Sequence, residues 1–146
     1  MTVIAYRDGV LAADTLAVRG DSKIGHMVKI AKAPDGRLGA AGGDAGVGAA
    51  WLAWVAGGFD GDRPLGKSDD KYVDMGIVVE LDGAMTVYEG TMMPFTITGP
   101  YFAIGCGSPE AMGAMHAGAS AVQAVEAAIA HDVHCGGCVM TLCLGA

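Results

Sequence analysis

The segment that decides the fold is the amino-terminal one, TVIAYRDGVLAAD, residues 2–14. Its first half is apolar and rich in β-branched residues, and Asp8-Gly9 in its middle is a strong signal for a tight hairpin turn. The segment therefore predicts one strand over residues 2–6 and a second over residues 10–14. Because paired strands of a hairpin run antiparallel, we expect Thr2 and Asp14 at the same end of it.

Turn signals farther along the chain predict further strands. Pro34-Asp35-Gly36 and Asp82-Gly83 each lie between two apolar runs and indicate turns between strands. The expected strands lie at residues 23–33 (one or two strands), 37–41, 74–81, 84–89, 101–104 and 138–144, the last of them buried. Residues 57–71 are polar and rich in Gly and Pro, and they predict a loop.

Helix starts complete the predicted order. Asp44 is an N-cap for a helix through about Val55. Ser108 is the predicted N-cap of a second helix, with Pro109 in its first turn. Ser120 with Gln123 forms a capping-box pattern for a third, through about residue 131. The order of strands, helix, strands, two helices and strand predicts an α+β fold with two antiparallel sheets covered by helices. We expect one domain over residues 1–146.

Composition excludes several classes of protein. Hydrophobic residues make up 52% and charged residues 17% of 146 residues, which excludes a disordered chain. The net charge of −7 and the absence of a basic stripe argue against a nucleic-acid partner. No apolar run reaches the roughly 18 residues of a membrane span, and no signal peptide is evident. We therefore expect a cytoplasmic protein with reduced cysteines, and the apolar excess predicts burial against sister subunits.

Thr2 would become the first residue if Met1 were removed, as is expected before a small residue. A threonine hydroxyl needs a base within hydrogen-bond reach to act as a nucleophile. A free amino-terminal threonine carries its own base, because its α-amine has a pKa of about 7.7–8.0 and is partly neutral at working pH. Many chains begin with Met-Thr for no catalytic reason, so this feature gains meaning only from its surroundings.

Those surroundings resemble a known family. The blocks TVIAYRDGVLAADT, VKI, AAGGDAG and GCGSPEA, with HDVHCGG after a helix, are similar to the proteasome β-subunits, most closely the HslV-type peptidases. They cover about residues 2–43 and 99–143. The resemblance implies the N-terminal-nucleophile hydrolase fold, a four-layer αββα sandwich of two antiparallel sheets. It also implies exposure of the nucleophile by processing, and assembly into rings.

The resemblance assigns roles to five of these residues. Thr2 matches the nucleophile, Asp14 the acid that ends the second strand, and Lys29 the buried lysine. A lysine beside the α-amine disfavours protonation of that amine, and Asp14 would compensate the lysine's buried charge. Gly42 matches the residue whose N–H faces the developing oxyanion. Asp132 matches the aspartate that supports the amine and hydroxyl of the nucleophile.

The chain departs from the family pattern at two supporting positions. Cys106, inside GCG, and Cys135, before Gly136-Gly137, stand where the family has serines. A thiol is a weaker hydrogen-bond donor and acceptor than a hydroxyl, so slower catalysis is expected. The segment between Gly43 and the strand at 74 also has room for only one of the two helices that the family usually has there.

A zinc site is a separate interpretation of the same region. His131, His134, Cys135 and Cys138 offer residue types that zinc prefers. Their predicted places, from a helix end to a buried strand, make convergence of four ligands improbable. We expect no resident metal and no other cofactor.

These observations predict a threonine-type endopeptidase subunit acting on unfolded polypeptide or peptides inside a homo-oligomeric ring. The resemblance leaves room for an ATP-dependent unfoldase as a partner. Two alternatives stay open. One is an N-terminal-nucleophile amidohydrolase acting on a small amide, and the other is a catalytically silent, ring-forming structural protein of the same fold.

Overall fold

A computed structural model describes residues 2–64 and 75–145. In this part of the chain there are three helices and three antiparallel sheets. The α+β class is thus confirmed, as is the predicted order of strands, helix, strands, two helices and strand. The expectation of two sheets was incomplete, because a separate two-stranded sheet is present. The end of the predicted loop at 57–71 and the start of the predicted strand at 74–81 lie outside the described residues.

The chain divides into two compact units. The first contains residues up to 28 together with 100–143, and the second contains residues 29–99 together with the last three residues. The predicted single domain over residues 1–146 stays a prediction.

The first unit holds a four-stranded sheet, a two-stranded sheet and two helices. The four-stranded sheet has the order β10-β1-β2-β11, and β3 pairs with β4. The elements are β1 (Val3–Arg7), β2 (Val10–Ala13), β3 (Leu16–Arg19), β4 (Ser22–His26), β10 (Tyr101–Gly105), α2 (Ser108–His116), α3 (Ala121–His131) and β11 (Met140–Cys143).

The β1–β2 hairpin forms as predicted. Asp8 and Gly9 both have positive φ, 51° and 79°, which is the backbone that a two-residue turn of type I′ requires. Arg7 pairs with Val10, and Ile4 pairs with Ala13. Val3 and Ala5 are buried because they face α2 and α3, and Ile4, on the opposite face of the strand, is buried as well.

Small side chains let α3 lie close to this sheet. Ala121, Ala124, Val125 and Ala128 on the buried face of α3 join Met115 of α2 in one apolar core. The capping box at Ser120 and Gln123 is present, with both hydrogen bonds made. The N-cap of helix α2 is Gly107, one residue before the predicted N-cap Ser108, so Ser108 is the first residue of the helix.

The second unit holds a five-stranded antiparallel sheet and one helix. The strand order is β5-β6-β7-β8-β9. The elements are β5 (Ile30–Lys32), β6 (Leu38–Gly42), α1 (Ala45–Ala56), β7 (Met75–Val79), β8 (Met85–Glu89) and β9 (Phe95–Ile97). The side chain of Asp44 caps α1 by accepting from the backbone N–H groups of Gly46 and Val47, as predicted.

Helix α1 packs on its sheet through Trp51 and Val55, both fully buried. The sheet meets these side chains with glycines. A Cβ on Gly39 would lie 2.6 Å from a methyl carbon of Val55, and one on Gly76 would overlap the ring of Trp51. The close packing of α1 on the sheet therefore requires glycine at both positions. No helix in the described part of the chain is long and apolar enough to cross a membrane.

We expect Gly39→Ala to lower the free energy of unfolding by about 1–3 kcal/mol, since the added methyl overpacks the contact with Val55. Gly48→Ala is the matched control, because its Cβ would lie 3.6 Å from that of Ala41, an ordinary contact. Within a helix that change should stabilise by about 0.5–1 kcal/mol. Urea unfolding of the two variants beside the parent measures both. Equal stability of the parent and Gly39→Ala would contradict the packing described.

Candidate active site

The hairpin brings Thr2 and Asp14 together, as the sequence predicts. Thr2 precedes β1 and Asp14 follows β2, and the N–H of Asp14 donates to the carbonyl of Val3 over 3.2 Å. The Oγ1 of Thr2 donates a hydrogen bond of 3.0 Å to Oδ1 of Asp14. Both residues are buried, with Thr2 5% and Asp14 0% exposed. The hydroxyl is therefore held in one orientation by a carboxylate that solvent does not reach.

The Asp14 carboxylate also accepts two backbone hydrogen bonds. The N–H of Val3 donates to Oδ1 over 3.0 Å, and the N–H of Gly136 donates to Oδ2 over 3.1 Å. Hydrogen bonds of this kind offset the cost of burying a carboxyl group. Asp14 thus connects the start of β1 with the loop that precedes β11.

The GCG segment, residues 105–107, packs against the backbone of Thr2. The Thr2 carbonyl accepts hydrogen bonds from the N–H of Gly107 at 3.3 Å and from Sγ of Cys106 at 3.4 Å. Gly105 has a φ of +96°, and a Cβ there would overlap the Thr2 carbonyl oxygen. Glycine is required at position 105 for both reasons.

Cys106 and Cys135 meet behind Thr2. Their Sγ atoms lie 3.7 Å apart, with Cys106 exposed and Cys135 buried. Burial raises the pKa of the Cys135 thiol well above its usual value. Cys106 and Asp14 nearby raise this pKa further, because negative charge opposes formation of the thiolate. Cys135 is therefore held as a neutral thiol.

Asp132 shapes the turn that positions Cys135. It is the C-cap of α3, in an extended conformation, and its Oδ1 accepts the N–H of His134 over 2.7 Å. Its carbonyl accepts the N–H of Cys135 over 3.2 Å. Asp132 also belongs to a compact donor set with both cysteines, in which one ligand atom from each residue lies within 4.8 Å of the others.

Lys29 and Gly42 belong to the second unit. Lys29 is 5% exposed, and its carbonyl accepts the N–H of Ala41 over 3.3 Å, next to Gly42 at the end of β6. Gly43, with a φ of +101°, then turns the chain into the Asp44 cap of α1. Within that unit Lys29 and Gly42 are close along the β5–β6 pair. Their predicted approach to Thr2 stays a prediction.

The zinc interpretation of the sequence is wrong in its ligand set. His131, His134, Cys135 and Cys138 do not form a compact donor group in the described residues, and Cys135 is grouped instead with Cys106 and Asp132. Cys138 follows Gly137, which has a φ of +77°, and the N–H of Cys138 donates to Oγ1 of Thr15 over 2.9 Å.

Thr15, which the sequence analysis did not single out, lies next to Asp14 and forms part of a cleft. Its Oγ1 is 3.1 Å from Nδ1 of His26. The cleft has a volume of about 310 Å³ and is mostly apolar, lined by Thr15, His26, Met27, Val28, Cys138 and Met140. The sequence signal was weak, because His26 lies on β4, whose residues are all exposed and follow no alternating pattern.

The sequence matches no protein-family model and no curated protein. The structure is similar to that of Thiobacillus denitrificans BPH in complex with epoxomicin, with a TM-score of 0.65 and 19% identity. The match covers 99% of this chain and 97% of that one. A second structure of Thiobacillus denitrificans BPH gives a TM-score of 0.64 at the same identity and coverage. The chain shares the fold of BPH.

We expect Cys135 to react with iodoacetamide more than about tenfold more slowly than Cys106 at neutral pH. The thiolate is the reactive form, and a raised pKa lowers its population at every pH below that pKa. Cys138 and Cys143, both exposed, serve as references. Peptide mapping by mass spectrometry after timed labelling measures the four rates, and in urea they should converge. Equal rates at Cys106 and Cys135 in the folded protein would contradict the environment described.

Proposed function

We propose that the chain is a threonine-type peptidase subunit of the proteasome-like kind, which uses Thr2 as its nucleophile. The observation that carries the proposal is the hydrogen bond from Thr2 to the buried carboxylate of Asp14. The similarity to BPH, which was solved with epoxomicin, a proteasome inhibitor, supports it. The proposal includes the four-layer αββα arrangement of N-terminal-nucleophile hydrolases, and the cytoplasm as the compartment.

The proposed reaction begins once Met1 is removed. Oγ1 of Thr2 attacks the carbonyl carbon of a peptide bond and passes its proton to the free α-amine. The N–H of Gly42 stabilises the oxyanion, and Lys29 disfavours protonation of the amine. The amine then gives the proton to the leaving nitrogen, which produces an ester on Thr2. Water hydrolyses this ester and restores the hydroxyl.

Three further residues have supporting roles in the proposal. Asp14 orients the hydroxyl, and Asp132 fixes the turn that carries Cys135. Cys106 contacts the Thr2 carbonyl and so helps to hold the residue in place. The thiols make weaker hydrogen bonds than hydroxyls would, so a modest turnover rate is expected.

The burial of Thr2 favours a second candidate. A nucleophile must meet the carbonyl of its substrate, and Thr2 is 5% exposed. A catalytically silent structural protein of the same fold would keep Met1, so that the nitrogen of Thr2 remains an amide and cannot act as a base. Intact mass and amino-terminal sequencing of the purified protein distinguish the two candidates.

We expect epoxomicin to add its mass once to each parent chain and not at all to Thr2→Ala. Hydrolysis of a fluorogenic peptide should fall to background in Thr2→Ala. Thr2→Ser should keep part of the activity, since hydroxyl and amine both survive. Thr91→Ala, at an exposed threonine in the turn after β8, is the matched control and should behave as the parent.

The outcomes of this experiment separate the proposals. Activity of Thr2→Ala equal to that of the parent would contradict Thr2 as the nucleophile. Absence of activity and of labelling in a parent whose first residue is shown to be Thr2 would favour the structural protein. Hydrolysis of small amides without hydrolysis of peptides would favour the amidohydrolase.

We also propose that the chain forms a closed homo-oligomeric ring, with unfolded polypeptide as substrate and room for an ATP-dependent unfoldase. The 52% of hydrophobic residues supports it, as do large apolar side chains on the surface of the second unit. Met92, Met93 and Phe95, around the start of the edge strand β9, are 60%, 86% and 46% exposed.

We expect light scattering at micromolar concentration to give the mass of an oligomer, and the same mass for the parent and for Thr2→Ala. Assembly should not depend on the nucleophile, because Thr2 is an interior residue of the first unit. A monomer mass would contradict the ring.

A further inference from the structure

The two thiols near Thr2 have a separation that suits a metal ion. In tetrahedral coordination with metal–sulfur bonds of about 2.3 Å, two sulfur ligands lie roughly 3.7–3.8 Å apart. The Sγ atoms of Cys106 and Cys135 are 3.7 Å apart, whereas a disulfide would require about 2.05 Å. The existing spacing therefore fits a bridging metal without movement of the sulfur atoms toward each other.

A carboxylate completes a third position. Asp132 has a ligand oxygen within 4.8 Å of both sulfur atoms. Its Oδ1 already accepts the N–H of His134, and this bond fixes the carboxylate in the way that outer partners orient metal ligands. Among the described residues no hydrogen bond is donated to Oδ2, so that oxygen is available to a cation.

The backbone around the thiols keeps them in register. A Cβ on Gly107 would lie 2.8 Å from Sγ of Cys135 and 2.8 Å from Cβ of Ala128. The GCG segment and the turn after α3 can approach this closely only because position 107 is glycine. This close packing places the two sulfur atoms 3.7 Å apart in the absence of an ion.

The charge around the thiols favours a cation. The ligand oxygen of Asp132 lies within 4.8 Å of both sulfur atoms, and the carboxyl group of Asp14 accepts the N–H of Gly136, the residue after Cys135. A dication would offset the negative charge of two ligating thiolates and a carboxylate. Two thiolates with one carboxylate make a soft donor set, which selects Zn²⁺-like ions over Mg²⁺ or Ca²⁺.

We propose that Cys106, Cys135 and Asp132 form a binding site for a thiophilic divalent cation of the Zn²⁺ type beside Thr2. On binding, both thiols release their protons to solvent, and the fourth coordination position is taken by water. The sulfur of Cys106 then no longer donates to the Thr2 carbonyl. Binding of the ion is thereby coupled to the position of Thr2, and the site does not depend on the proposed peptidase function.

The test uses the full chain, reduced, freed of metal with a chelator and checked for four free thiols per chain. Equilibrium dialysis against Zn²⁺ should give one ion per chain. Co²⁺ should give a thiolate-to-cobalt charge-transfer band and the visible spectrum of tetrahedral Co²⁺. Mg²⁺ at the same concentration should not compete with either ion.

Variants locate the ion. Cys106→Ala, at an exposed side chain, should lose the charge-transfer band in large part and weaken Zn²⁺ binding by more than about 100-fold, beyond the loss typical of an outer partner. Asp132→Asn should weaken binding by at least about tenfold. Cys138→Ala and Cys143→Ala are matched controls and should bind as the parent does. Cys135→Ala should lose Zn²⁺ binding as well. Circular dichroism checks that each variant is folded, and if Cys135→Ala does not fold, the result with Cys106→Ala tests the proposal.

Two results would overturn the proposal. One is the absence of bound Zn²⁺ and Co²⁺ in the reduced, folded parent. The other is unchanged binding in Cys106→Ala together with loss of binding in Cys138→Ala or Cys143→Ala, which would assign the ion to those cysteines. Because metal content and spectra are measured without a substrate, failure of the peptidase proposal would leave this result unaffected.

Discussion

The buried carboxylate of Asp14 is the group on which the arrangement of the candidate site depends. A carboxylate without solvent contact costs several kcal/mol unless hydrogen bonds compensate it. Thr2 and Val3 supply two of these bonds from the strand before the turn, and Gly136 supplies another from 122 residues away. The Asp14 carboxylate thereby connects the hairpin with the loop before β11.

Glycines around the candidate site allow close contacts that a Cβ would prevent. At position 105 it avoids overlap with the Thr2 carbonyl, and at position 107 it allows contact with Cys135 and Ala128. At position 137 a Cβ would meet Thr15 and His26. Glycines on both sides of Cys106 thus let this segment approach the backbone of Thr2, and the Cys106 side chain contacts the Thr2 carbonyl.

The parts of the fold that the sequence predicted well are those fixed by local rules. The turn at Asp8-Gly9 sets the register of its hairpin, and the capping residues Asp44 and Ser120 start their helices where expected. Residues 2 and 14 could be paired because hairpin geometry alone relates them.

The missed elements lack such local signals. Strands β3 and β9 were not expected from the sequence. Strand β3 has four residues and β9 is an edge strand of three residues that follows Pro94, so both are too short to show a clear alternation of apolar and polar residues. Strand β11 was expected to be buried, yet alternate residues are exposed. The meeting of Cys106 with Cys135 joins the end of β10 to the turn after α3, a long-range contact that no spacing reveals. Their roles were assigned by family resemblance, which gave no information on the distance between the two thiols.

The distance of 3.7 Å between the two sulfur atoms bears on the role of Cys106 and Cys135, which stand at positions where the resemblance implies serines. Two hydroxyls would support Thr2 by stronger and shorter hydrogen bonds, whereas the Cys106 sulfur contacts the Thr2 carbonyl at 3.4 Å. Kept neutral, the thiols add no negative charge beside the carboxyl groups of Asp14 and Asp132. Bound to a cation, the same sulfur atoms would become anions whose charge the ion offsets. The two states exclude each other, because a Cys106 sulfur that ligates a metal has lost the proton that it donates to the Thr2 carbonyl. Sulfur in place of oxygen thus gives the Thr2 carbonyl a weaker hydrogen bond, and in the proposed metal site this bond is lost when the thiols bind a cation.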